Sequence, residues 1–162
     1  MRPADVVIDD LANPKLPSAV TELMASVGPM AERLALSPAG LMDQASAETG
    51  LSDFGDQGFL EPLGVLVSAY DTEAGLSPFG RVTVFGQLVQ LLKNRLLITD
   101  LLARHPEIHE IEIRRPIIIA GLPRTGTTHL HNLLAADPDL RSLPYWESVE
   151  PVLPSSAQPV AG

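Results

Sequence analysis

Along the first two thirds of the chain, apolar residues recur at helical spacing. Between residues 18 and 36, Val20, Leu23, Met24, Val27, Met30, Ala31 and Leu34 fall three and four apart, the period of a helix that buries one face. Gly28-Pro29 interrupts this run, and a proline inside a helix removes a hydrogen bond and crowds the preceding turn, so the pattern predicts a kinked or divided helix. Ser37-Pro38 places a capping hydroxyl before a proline and predicts a new helix that Gly50 ends. Residues 51–59, LSDFGDQGF, break the period. Glycines, acids and two phenylalanines there predict a loop pinned to the core by its aromatics, with an acidic acceptor-recognition loop as the other reading. A helix follows over 61–74 with Leu63, Leu66, Val67 and Tyr70 inward and Gly75 at its end. Ser77-Pro78 then opens the longest helix, 79–104. Its apolar residues cover several faces and leave Lys93, Asn94, Arg95 and Asp100 as a narrow polar stripe. Such a helix is expected to be largely buried, or to meet a partner chain.

The period changes after His105-Pro106. Residues 107–115 alternate, with Ile111 and Ile113 on one side, as in a strand. Ile117-Ile118-Ile119-Ala120 reads as a short buried strand, residues 121–126 as a tight loop, and Thr127-Thr128 as the opening of a helix. A strand, loop and helix joined in this way bind anions, because the first helical N–H groups lack intrahelical acceptors and stand at the positive end of the helix dipole. Gly121, Gly126 and Thr128 match the spacing GxxxxGK[ST] of a nucleotide-binding loop, but Thr127 stands where the lysine would be. The nearby cation is Arg124, whose planar fork suits an oxyanion. A nucleotide kinase or NTPase is therefore the less natural reading. Asp137-Pro138-Asp139 forms a turn, and 141–143 is expected to pair parallel to the first strand. That pairing would bring Glu147 to the loop's edge of the sheet, where ligands sit in open α/β folds.

Composition narrows the partners. The chain has 162 residues, 45% of them hydrophobic. With a mean hydropathy of +0.15, it has enough apolar material for a core. A formal charge of −9 disfavours nucleic acid and anionic membranes. No cysteine is present, which excludes disulfides and thiolate metal sites and points to the reducing cytoplasm. The N-terminal residues carry acids where a signal peptide has its apolar stretch, and no run is long enough to span a bilayer. His105 and His109 are separated by a proline turn with no third ligand near, and His129 and His131 diverge on a helix, so no metal is expected.

Residues 116–147, and more loosely the chain from Leu51 onward, resemble the PAPS-dependent sulfotransferases, specifically the bacterial branch whose phosphosulfate loop reads GLPRTGTT. Here the motif is Leu122-Pro123-Arg124-Thr125-Gly126-Thr127-Thr128, followed by DPDLRSLPYWE; the LSDFGDQGF segment is also similar. The resemblance implies that Pro123, Arg124, Thr125, Gly126, Thr127 and Thr128 hold the 5′-phosphate of the donor PAPS. It implies transfer of a sulfuryl group to the hydroxyl or amine of a small-molecule acceptor, without a metal. It also implies Glu147 as the match for the glutamate that serves as general base in tyrosylprotein-like members. Arg124 and Glu147 are thus the expected catalytic pair.

The fold class expected is α/β: a helical N-terminal region followed by the first βα unit of a P-loop-like parallel-sheet sulfotransferase fold. Its divisions are a leader over 1–16, a helical region over 17–105, the start of the α/β domain over 106–150 and a proline-rich, disordered tail over 151–162. Because such enzymes continue well past one βα unit, the chain is expected to be an N-terminal fragment. A noncatalytic interaction module, docking through helix 79–104, remains the alternative.

Overall fold

The structure, a computed structural model, describes residues 14–152. Most of the expected leader and tail lie outside the described residues. Seven α-helices are present among them: α1 (Ser18–Ser26), α2 (Gly28–Ala31), α3 (Pro38–Thr49), α4 (Leu60–Thr72), α5 (Pro78–Arg104), α6 (Thr127–Ala135) and α7 (Tyr145–Val149). Gly28-Pro29 divides α1 from α2, with the proline in the first turn of α2, where its missing N–H costs nothing. The two Ser-Pro pairs act alike: Ser37 Oγ accepts from the Gly40 amide and Ser77 Oγ from the Gly80 amide, each at 3.1 Å, capping α3 and α5. Gly50 ends α3 at a φ of 72°.

The chain divides into two compact units, and α3 and α5 contribute residues to both. In the first, made of residues up to Asp43 together with Gly58–Val89, the core is Ala31, Leu36, Leu41, Leu63, Val67, Leu88 and Val89. Arg81 on α5 donates to Asp71 Oδ1 at 2.6 Å and to the Leu34 carbonyl at 3.3 Å, joining three segments. Leu66, expected inward, is exposed: on α4 the seam narrows to Leu63 and Val67, one turn apart.

In the second unit, made of Gln44–Gln57 and the residues from Gln90 onward, Ala45, Phe54, Leu92 and Leu96 are buried. Each large apolar side chain so buried contributes about 1.5–3 kcal/mol. Of the expected 51–59 loop, residues 51–56 are loop with Phe54 as a buried aromatic anchor, whereas Gln57–Phe59 form a 3₁₀ turn in which Phe59 is half-buried. The loop's backbone is held from α5, with Arg95 Nε donating to the Phe54 carbonyl at 2.6 Å and Nη2 to the Asp56 carbonyl. Lys93 Nζ meets Glu48 Oε2 at 2.8 Å, and Asn94 Nδ2 donates to the Val149 carbonyl at 2.6 Å. Three residues of the expected polar stripe of α5 are thus used to tie other segments. Lys93, Asn94 and Arg95 are half-buried and tied to other segments, whereas Leu91 and Ile98 are exposed.

The expected strands are corrected. Residues 106–110 form a 3₁₀ helix, opened by Pro106, rather than the start of a strand. Residues 111–120 and 141–144 are irregular in hydrogen bonding, and among the described residues no strand is formed. The physical reason is that a strand is defined by its ladder, and neither stretch has a paired neighbour. Ile113, Ile117 and Ile118 are accordingly 80%, 62% and 82% exposed. Among the described residues no helix is long and apolar enough to cross a membrane, and no group of three His, Asp or Glu could hold a metal ion.

Candidate functional site

The loop between the isoleucine stretch and α6 is built by its backbone. Gly126, the residue before α6, has φ 91°, a left-handed conformation that a side chain resists. Arg124 adopts φ 68° although it is not glycine, a local strain of the kind that collects at binding loops. Thr125 Oγ1 donates to the Leu122 carbonyl at 2.6 Å and closes the loop on itself. Gly121 lies beneath this closure, where a Cβ would stand 2.8 Å from Thr125 Oγ1.

From Gly126 the chain enters α6 with no side-chain cap. The Leu130 amide donates to the Gly126 carbonyl at 3.0 Å, so the first intrahelical bond begins there. Among the described residues, the amides of Gly126, Thr127, Thr128 and His129 donate to no protein acceptor. The space above Gly126 is open, with nothing within 4 Å of a Cβ built on it. The loop thus presents a row of free donors at the positive end of a helix dipole, facing open space, which is the chemistry of an anion cradle. Arg124 is exposed and forms no ion pair among the described residues. These residues fit a phosphate group.

Glu147 lies in the first turn of α7, and its carboxylate is paired with the Arg141 guanidinium. Its side chain is 27% exposed, against 74% for that of Arg141. Sequence reasoning did not anticipate this partner, nor the helix that carries both Trp146 and Glu147. A cavity of about 560 Å³ is lined by Thr127, Thr128 and His131 of α6 and by Ser142, Tyr145 and Ser148. Among the expected site residues, it brings Thr127 and Thr128 together with the helix of Glu147. Pro123, Arg124, Thr125, Gly126 and Glu147 do not line it. His131 was missed as a lining residue. Its spacing of three and four from Thr128 and Thr127 was the available signal, since these share one helix face.

Comparison with known proteins follows the same residues. No curated protein matches the chain. Among solved structures, the chain is similar to the sulfotransferase STF1 of Mycobacterium tuberculosis H37Rv, at 40% identity and a TM-score of 0.68 over 73% of this chain and 33% of that one. It is also similar to the sulfotransferase STF9 of Mycobacterium avium, at 33% identity and a TM-score of 0.68 over 74% of this chain and 31% of that one. The chain therefore spans about a third of the length of either enzyme. The model of the Sulfotransferase family matches residues 116–161, the segment that opens on the isoleucine stretch and contains the loop, α6 and α7.

Proposed function

We propose that this chain is the N-terminal part of a PAPS-dependent sulfotransferase and carries the site for the donor's 5′-phosphate. The observation that carries the reading is the uncapped start of α6, with free amides over an open Gly126 and a guanidinium, not an ammonium, in the loop. The similarity to two sulfotransferases supports the same chemistry. In this reading the amides of 126–128 and the hydroxyls of Thr127 and Thr128 hold the 5′-phosphate. Arg124 stabilises charge on the phosphate oxygen as it departs. The acceptor hydroxyl or amine attacks sulfur, the bond from sulfur to the phosphate oxygen breaks, and the acceptor proton passes to Glu147. The bond from Arg141 holds that carboxylate in one orientation.

The exposed isoleucines of residues 111–118 support the fragment reading. Ile117 and Ile118, successive and therefore on opposite faces of an extended chain, are both exposed and have the character of a strand from a parallel sheet covered on both sides, which is the α/β fold proposed for the longer protein. The absence of cysteine accords with a cytoplasmic home.

Calorimetric titration of the 162-residue chain with PAP and with ATP, each with and without Mg²⁺, tests the proposal. PAP binding that is independent of Mg²⁺ is expected, and Mg²⁺-dependent ATP binding would instead indicate a kinase-like site. Binding of neither nucleotide would favour a noncatalytic interaction module. For that second reading the specific observation is the exposure of Phe79, Leu91 and Ile98 along α5.

A further inference from the structure

We infer that Asn94 is a positioning residue for the acceptor side of the site. It acts through the hydrogen bond by which its side chain holds the end of the helix bearing Trp146 and Glu147. The inference rests on the sulfotransferase reading for its catalytic meaning, though not for its geometry.

α7 has five residues, too few to be stable by their own hydrogen bonds. Its flanks offer little help. Pro144 precedes it without a side-chain cap, and Tyr145, Trp146, Ser148 and Val149 are all exposed. A helix of this length leaves most of its last carbonyls without intrahelical donors. One of them, the carbonyl of Val149, accepts from Asn94 Nδ2 at 2.6 Å, across 55 residues of sequence. Asn94 is itself fixed, because its Oδ1 accepts from Gln90 Nε2 at 3.1 Å one turn earlier on α5. The carboxamide is therefore oriented with its donor toward α7. The adjacent Arg95 holds the 51–56 loop from the same stretch of α5, so two neighbouring polar residues anchor two separate segments of this unit.

The consequence for the site follows from the cavity that Thr127 and Thr128 share with Tyr145 and Ser148. A shift of α7 changes that cavity and moves Glu147, whereas the loop amides belong to α6 and its approach. Loss of the Asn94 bond is therefore expected to disturb the position of Glu147 and to leave phosphate binding nearly intact. Asn94 lines two cavities, whose ionisable groups are Glu48, Lys93 and Glu150 in one and Asp56 and Arg95 in the other; Lys93 and Glu48 are paired with each other, and Arg95 Nη2 donates to the Asp56 carbonyl.

Trp146, the single tryptophan of the chain, reports on α7 directly. Acrylamide quenching of its fluorescence is to be measured for the native chain, Asn94→Leu and Asn94→Asp, with PAP affinity measured by calorimetry in parallel. The quenching constant is expected to rise in Asn94→Leu, by less than twofold because Trp146 is already 55% exposed, with PAP affinity unchanged within error. Asn94→Asp is expected to match Asn94→Leu at pH 8, where the introduced carboxylate has no proton to donate. It should return toward the native value as pH falls and the carboxyl regains one, a recovery that Asn94→Leu does not show. Quenching unchanged in both variants overturns the inference, as does an Asn94→Asp variant that never recovers. A native chain that binds no PAP overturns the functional reading instead, and the quenching comparison still decides whether Asn94 holds α7.

Discussion

A Cβ placed on Gly121 would stand 2.8 Å from Thr125 Oγ1, closer than real Cβ atoms approach an oxygen. It would also stand 3.0 Å from Thr127 Cγ2. Thr125 could make room only by turning away and giving up its bond to the Leu122 carbonyl, the contact that closes the loop. Gly121→Ala is therefore expected to weaken PAP binding by at least about tenfold, the equivalent of one lost hydrogen bond to an ionic group. Its far-UV circular dichroism should match the native chain. Gly126→Ala differs in cause: nothing crowds that position, but φ 91° strains any side chain, at a cost of about 1–2 kcal/mol. Comparing urea midpoints with PAP affinities for the two variants separates crowding from backbone strain.

Arg124 offers the complementary test, since it occupies φ 68° without being glycine. Arg124→Gly removes the strain and the guanidinium together. Stability is expected to be unchanged or to rise by up to about 1 kcal/mol, relief of strain being offset by the greater freedom of glycine in the unfolded chain. PAP affinity is expected to fall about tenfold, since a charge-assisted contact to the phosphate is lost. A variant that kept its full affinity would remove Arg124 from the donor site.

The helices were legible because their signals are local. Ser-Pro at 37–38 and 77–78 and Gly50 predicted boundaries that the structure reproduces within a residue or two. The loop from Gly121 to Thr128 was legible in the same way, its geometry resting on residue types that only certain backbone angles admit. The strands were misjudged because alternation at Ile111 and Ile113 describes side chains, whereas a strand needs a partner's backbone. α7 was missed because five residues carry too little period to register. The ties from Arg95 to Phe54 and from Asn94 to Val149 join residues 41 and 55 apart, and no spacing rule reaches that far. The expected narrow polar stripe of α5 consequently gave no hint that Lys93, Asn94 and Arg95 tie it to other segments, while Asp100 pairs with Arg104 on the same helix.

Phe54 and Arg95 together fix the loop over 51–56, and their loss is expected to differ in size. Phe54→Ala removes a ring that is 5% exposed and should destabilise the chain by about 3 kcal/mol. Arg95→Lys keeps the charge, but an ammonium cannot span the two carbonyls of Phe54 and Asp56 as the guanidinium fork does, so a loss of about 1–2 kcal/mol is expected. Urea denaturation followed by circular dichroism reads both. Equal losses would mean that the arginine holds the loop as strongly as the buried ring does.

Glu48 gives the chain a defined response to acid. Its carboxylate accepts from Gln44 Nε2 at 2.8 Å and from Lys93 Nζ at 2.8 Å. These bonds, that of Gln44 first, hold its pKa below the usual glutamate value of 4.5. A carboxylate whose pKa is lowered by folding stabilises the folded state above the unfolded pKa and loses that contribution as pH falls through the folded one. The contact between Glu48 and Lys93 should thus persist from neutral pH down to 4.5 and fail below it, as Glu48 takes up its proton. The Glu48 side chain is 39% exposed, so solvent screens the pair and the effect on global stability is small. A ¹³C titration of the Glu48 carboxyl measures it directly. The midpoint is expected below that of an unstructured glutamate, and in Lys93→Met it should move up only part of the way, because the bond from Gln44 remains. A midpoint at the unstructured value in the native chain would mean that neither bond persists in solution.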